Sequence, residues 1–119
     1  MSGIDIIFST SEPREVEFEF KGQKVIVKVK EMGWSEKNKI LSRCFTYSSD
    51  GKASFDFDQY NKEMLKKLVL GIKVGESDVP SGEINEIFFA RLNPTFGGML
   101  QRLVPQAFEE MSSDFFAKG

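Results

Sequence analysis

Residues 15–30 read EVEFEFKGQKVIVKVK, two alternating arms hinged on Gly22. Alternation of apolar and charged residues is the period of a β-strand with one covered face. With Gly22-Gln23 as a two-residue loop, glycine at the first central position suits a type II′ turn, whose twist matches antiparallel strands. That loop sets Phe20 opposite Val25, Phe18 opposite Val27 and Val16 opposite Val29, all six on one face. On the other face Glu17 meets Lys28, Glu15 meets Lys30 and Glu19 faces Ile26. A slip of one residue sets every apolar side chain against a charged one, so the pattern selects its own register. Each charged pair contributes at most ~1 kcal/mol, so the ladder serves specificity more than stability.

A lone hairpin is marginal in water, so its apolar face requires a cover. The residues after it supply helices. In MGWSEKNKILSRCFTY, Ser35 is expected as N-cap and Glu36 suits the positive helix end. Ile40, Leu41, Cys44 and Phe45 then form one stripe. Trp34 precedes the cap and reads as a staple-like core residue. SSDGKAS is a loop by composition. A second helix over FDFDQYNKEMLKKLVLGIKVG places Phe57, Tyr60, Met64, Leu65, Leu68, Val69 and Ile72 at helical spacing. Asp56 or Asp58 is its cap, and Gly71 or Gly75 its stop. VGESDVPSG reads as a linker, and GEINEIFFARL as a short helix capped by Ser81. Asn93 as cap and Pro94 at the first helical position open a fourth helix carrying Phe96, Met99, Leu100, Leu103 and Val104. Pro105 kinks it or begins a fifth, with Phe108, Met111, Phe115 and Phe116 beyond.

The expected fold is therefore α+β, an N-terminal antiparallel hairpin packed on a bundle of four to five helices. Residues 1–14, with Ile4, Ile6, Ile7 and Phe8 ahead of a turn-rich STSEP, read as a mobile N-terminal segment. Residues 15–119 read as one domain.

Composition narrows the chemistry. The chain of 119 residues contains no histidine, which removes imidazole acid/base catalysis and the commonest zinc ligand. A single Cys44 agrees with a reducing compartment, and no leader or long apolar run is evident, so a cytoplasmic location and no membrane are expected. Net charge is −2, with +5 concentrated in residues 21–43 and −4 in each of residues 1–20 and 75–119. A sequence pI near 5.2 speaks against nucleic acid as a partner. Asp50, Asp56 and Asp58 lack the ligand order of a calcium loop and read as turn and cap residues. Cys44 has no histidine to activate it and reads as packing, as does Gly97-Gly98, which lies in no phosphate-binding motif. No catalytic group, metal or cofactor is expected. Twelve Phe and five Met remain, suited to a core or to a protein interface.

The run EMGWSEKNKILSRCFTYSSDGKASFDFDQYNKEML, residues 31–65, resembles the phage tail assembly chaperones of long-tailed phages and related proviruses. A hairpin leads into Trp34-Ser35-Glu36-Lys37, followed by Asp50-Gly51, Phe55-Asp56 and Tyr60; the likeness spans roughly residues 15–73. It implies a non-enzymatic protein that binds the apolar, helix-rich tape-measure protein and leaves as tail-tube subunits assemble. Phe96, Met99, Leu103, Phe108, Met111, Phe115 and Phe116 are the expected partner-binding residues, on helical stripes near the chain end. The alternative is a cytosolic adaptor or homo-oligomeric subunit that uses the hairpin edge, although lysines on an edge deter such pairing.

Overall fold

The alternating arms do form a hairpin, but it turns one residue earlier than the II′ reading requires. In this computed structural model, which describes residues 3–108, strand β1 is Arg14–Phe20 and β2 is Gln23–Val29. The loop is Lys21-Gly22, with φ of 51° and 78°. Two successive left-handed residues make a type I′ turn, which tracks strand twist as well as II′ does. The pairing becomes Phe20 with Gln23, Phe18 with Val25, Val16 with Val27 and Glu15 with Lys28. This is a shift of two residues from the expected register, so each side chain keeps its expected face. Val25, Val27 and Val29 are wholly buried. Lys24 Nζ lies 3.4 Å from Glu17 on the other face.

Helix α1, Trp34–Arg43, starts earlier than expected, and Ser35 does not cap it. Gly33 holds the cap position in extended conformation without a side-chain bond. Trp34 is consequently the first helical residue and 82% exposed, not a core staple. The stripe is otherwise as read: Ile40 and Cys44 are buried. The helix stops at Cys44, so Phe45 leaves the stripe and opens strand β3, Phe45–Tyr47. It pairs with β4, Ala53–Phe55, across the segment read as a loop.

Helix α2, Phe57–Leu68, is capped by Asp56, whose side chain accepts from Gln59 N at 3.0 Å. It ends three residues before Gly71 and seven before Gly75, the two expected stops, and the chain passes straight into strand β5, Val69–Val74. β5 pairs antiparallel with β2: Val29 opposes Val69, Lys28 opposes Gly71 and Val27 opposes Ile72. Leu70 is the extra residue of a β-bulge. The bulge sets the buried Val69 and Ile72 three residues apart, the spacing of a helical stripe. The presumed linker is a tight turn at Gly75-Glu76 into β6, Ser77–Val79.

Ser81–Glu83 forms one turn of 3-10 helix, and α3, Glu86–Ala90, is capped by Asn85, not Ser81. Helix α4, Pro94–Leu103, begins as expected, with Asn93 Oδ1 accepting from Thr95 N and Phe96 N. A 3-10 turn at Pro105–Phe108 follows. The result is α+β, but the helices do not gather into a separate bundle. The sheet runs β1-β2-β5-β6, and the helices layer on one face of it. The core joins the β2 valines and Ile72 to Met64, Leu65 and Leu68 of α2 and to Phe96 and Leu100 of α4. Lys24, Lys28, Lys73 and Asp78 line the opposite, open face. Among the described residues no helix is long and apolar enough to cross a membrane.

Candidate partner-binding surface

The residues expected to bind a partner do not form one exposed stripe. Phe96 is 8% exposed and fills the core, its ring 5.7 Å from Phe18 and 5.2 Å from Phe20. Its place on the α4 stripe was right, but the stripe faces inward, so Phe96 is corrected from contact residue to core residue. Met99 and Leu103 are half-buried. Phe108 is half-buried against the core, beneath the Arg14 guanidinium at 4.8 Å, while Arg14 Nη1 donates to Ala107 O at 2.9 Å. Met111, Phe115 and Phe116 lie outside the described residues.

Aromatic side chains reach solvent elsewhere, on the β3–β4 arm. Phe45 opposes Phe55 and Tyr47 opposes Ala53, which places these four on one face. Thr46 and Ser54 take the other face, their hydroxyls 2.6 Å apart. The arm is therefore aromatic on one side and hydroxylic on the other. Phe55 is the hub: its ring lies 4.9 Å from Phe45, 4.7 Å from Phe57 and 5.3 Å from Tyr60. Phe45 is 42% exposed, Phe57 69% and Tyr47 75%.

The arm is held at both ends. At its base Asp56 N donates to Cys44 O at 2.9 Å. At its tip Gly51 takes a positive φ of 84°, and Ser48 N donates to Lys52 O. The Asp50 carboxylate accepts from Ser48 Oγ and Lys52 N, and the Ser48 bond holds its pKa below the usual range. Asp50 is thus a turn residue, Asp56 a cap, and Asp58 an ion-pair partner of Lys62 at 2.8 Å. Each of the three carboxylates has a local structural task. Among the described residues no group of three or more His, Cys, Asp or Glu side chains is placed to hold a metal.

Beneath the arm Cys44 is fully buried, its Sγ 3.6 Å from Glu63 Oε2. Burial, then Glu63, pushes the thiol pKa up, which opposes nucleophilic character. Glu63 is held below the usual carboxylate range, first by its 2.7 Å bond from Arg43. Gly97-Gly98 borders a cleft of about 250 Å³ between α2 and α4, shared with Asp58 and Lys62.

A second apolar region flanks the start of α1. Ile4, Ile6, Ile7 and Phe8 are 59–82% exposed around a 3-10 turn at Gly3–Ile7. Thr10 N donates to Glu31 Oε1 at 2.6 Å, tying this segment to the residues just before the exposed Trp34. Lone exposed apolar residues are ordinary, but clusters of them mark interaction surfaces. α1 is roughly 15 Å long, so the two apolar regions lie near its opposite ends.

No protein-family model, curated protein or solved structure matches the chain. The arm was the part of the surface that sequence reading missed. FTY and ASF around Asp50-Gly51 carry the alternation and turn chemistry of a hairpin, on strands of three residues each.

Proposed function

We propose that this chain is a non-enzymatic, tail-assembly-chaperone-like protein acting in the cytoplasm of a phage or provirus host. It holds apolar helical segments of a tape-measure protein until tail-tube subunits replace it. The observation that carries this reading is the one-sided aromatic arm, with Tyr47 and Phe57 more than two-thirds exposed. Aromatic side chains lose little entropy when they dock and bury a large area, so such a face suits an amphipathic helix. The resemblance in residues 31–65 covers this same arm, and the Met99 and Leu103 side chains leave further half-open apolar surface. No nucleic acid or membrane is part of the proposal.

The test is co-expression with the tape-measure protein encoded beside this chain. Wild type is expected to raise the soluble fraction of that partner. A Phe45→Ser/Tyr47→Ser/Phe57→Ser variant, checked for an unchanged circular dichroism spectrum, is expected not to. Equal solubility with and without wild type overturns the proposal. Equal rescue by the folded triple variant removes the arm from it.

A further inference from the structure

Among the described residues, strand order leaves the outer edge of β1 unpaired, because β2 lies between β1 and β5. In a two-residue hairpin the pair flanking the turn, here Phe20 and Gln23, exchanges both backbone bonds. Alternation then directs the backbone N–H and C=O of Glu15, Glu17 and Glu19 outward. Sheet edges are usually blunted by shortness, proline, charged side chains (lysine above all), a bulge or a covering segment. β1 has seven residues with no proline, lysine or bulge inside the strand, Pro13 standing just before it. Its charges are Arg14 at the end and Glu15, Glu17 and Glu19 along it, which deter an acidic strand but not a basic one. The opposite edge, β6, has three residues followed by Pro80. The Pro105–Phe108 turn meets β1 at its Arg14 end, through the Ala107 bond. Side-chain burial shows the same incompleteness. Val25, Val27 and Val29 are wholly buried, yet Val16, Phe18 and Phe20, one strand further out on the same face, are only half covered.

Charge selects what would complete this edge. The other face of β1 carries three glutamates, of which only Glu17 is in an ion pair among the described residues. A second copy pairing β1 against β1 would set glutamate against glutamate, which is destabilising. β2 shows the complementary chemistry on the inner side: Lys24 opposes Glu19 and Lys28 opposes Glu15, with valines over the apolar face. We propose that the open edge of β1 accepts an extended strand from another protein, alternating aliphatic residues with Lys or Arg. Its basic side chains lie on the Glu15, Glu17 and Glu19 face, and its aliphatic ones cover Val16, Phe18 and Phe20. This surface is separate from the aromatic arm, and either can fail alone.

The probe is a fluorescein-labelled KVIVKVK peptide, the sequence of residues 24–30, titrated against the full chain by anisotropy. Saturable binding that weakens with salt is expected, with at least tenfold weaker binding of EVIVEVE. Glu17→Pro removes an outward N–H without touching the β1–β2 ladder, and is expected to lower affinity at least tenfold in a chain of unchanged circular dichroism. Glu15→Gln/Glu17→Gln/Glu19→Gln is expected to bind more weakly and to lose most of the salt dependence, which keeps the test open if the proline variant does not fold. Absence of saturable binding overturns the proposal, as does equal binding of the two peptides or indifference to a folded variant. A dimer in light scattering that Glu17→Pro dissolves assigns the edge to a second copy and overturns it too.

Discussion

Phe96 shows how one residue can carry the right periodicity and the wrong role. It stands on the apolar stripe of α4, but that stripe closes over Phe18 and Phe20. Phe96→Ala is expected to lower the unfolding free energy by roughly 3–5 kcal/mol in urea titration. Tyr47→Ala, on the open arm, is expected to stay within about 0.5 kcal/mol of wild type. Glu63 makes the acid limb of stability predictable. Its carboxyl pKa is lowered in the folded chain, first by Arg43, so the stabilisation is present above the ordinary carboxylate range. It is lost as pH falls through that range and below it. Glu63→Gln is therefore expected to flatten the decline in stability between neutral and acid pH, followed by denaturation at a series of pH values. Cys44, buried with its thiol pKa raised, is expected to resist an aromatic disulfide reagent at mildly alkaline pH and to react quickly once the chain is denatured.

At the scale of elements, the hairpin was legible because alternation over both arms leaves one answer for which face is buried. The turn was not, since Gly22 serves as the first residue of a II′ loop or the second of a I′ loop, and both preserve the faces. Lys21 now carries the less suitable positive φ. Lys21→Asn is expected to raise the melting temperature and Gly22→Ala to lower stability by roughly 1 kcal/mol. Gly75→Ala is expected to cost about what its left-handed φ of 59° implies, because the atom its Cβ would meet, Gln23 Oε1 at 2.6 Å, ends an exposed side chain that can swing aside. The α2–β5 boundary was hidden for a different reason. Val69 and Ile72 keep helical spacing because Leu70 bulges out of the ladder, so periodicity alone cannot separate bulged strand from helix. Strong helix formers up to Leu68 gave way to Val69, Gly71 and Ile72, and β2 offered an edge to pair with. The aromatic arm escaped because each of its strands is three residues long, too short for a period to register.

Across the whole molecule, the α+β class was readable, but the third and fourth strands that make it a sheet come from the residues read as helix end and linker. The helices follow from this: with four strands to cover, they spread into a layer on one face. Their own Phe and Met residues are largely spent there, and the open aromatics come instead from the ends of elements, at Trp34, Phe45 and Phe57. The passage from Leu68 to Val69 without an intervening loop has a further consequence, for how the chain tolerates gain or loss of residues. Lys30 N donates to Leu68 O at 2.9 Å, so the helix end is fixed to the end of β2 where β5 begins. One residue inserted there would turn the α2 stripe by about 100° relative to the strand, or invert the faces of β5. No slack exists to absorb either phase error. An alanine inserted between Leu68 and Val69 is expected to abolish cooperative unfolding. The same insertion between Asp50 and Gly51, at the arm tip, is expected to leave the transition sharp. Length variation among descendants of this chain should then collect at the arm and be scarce at the helix–strand seam.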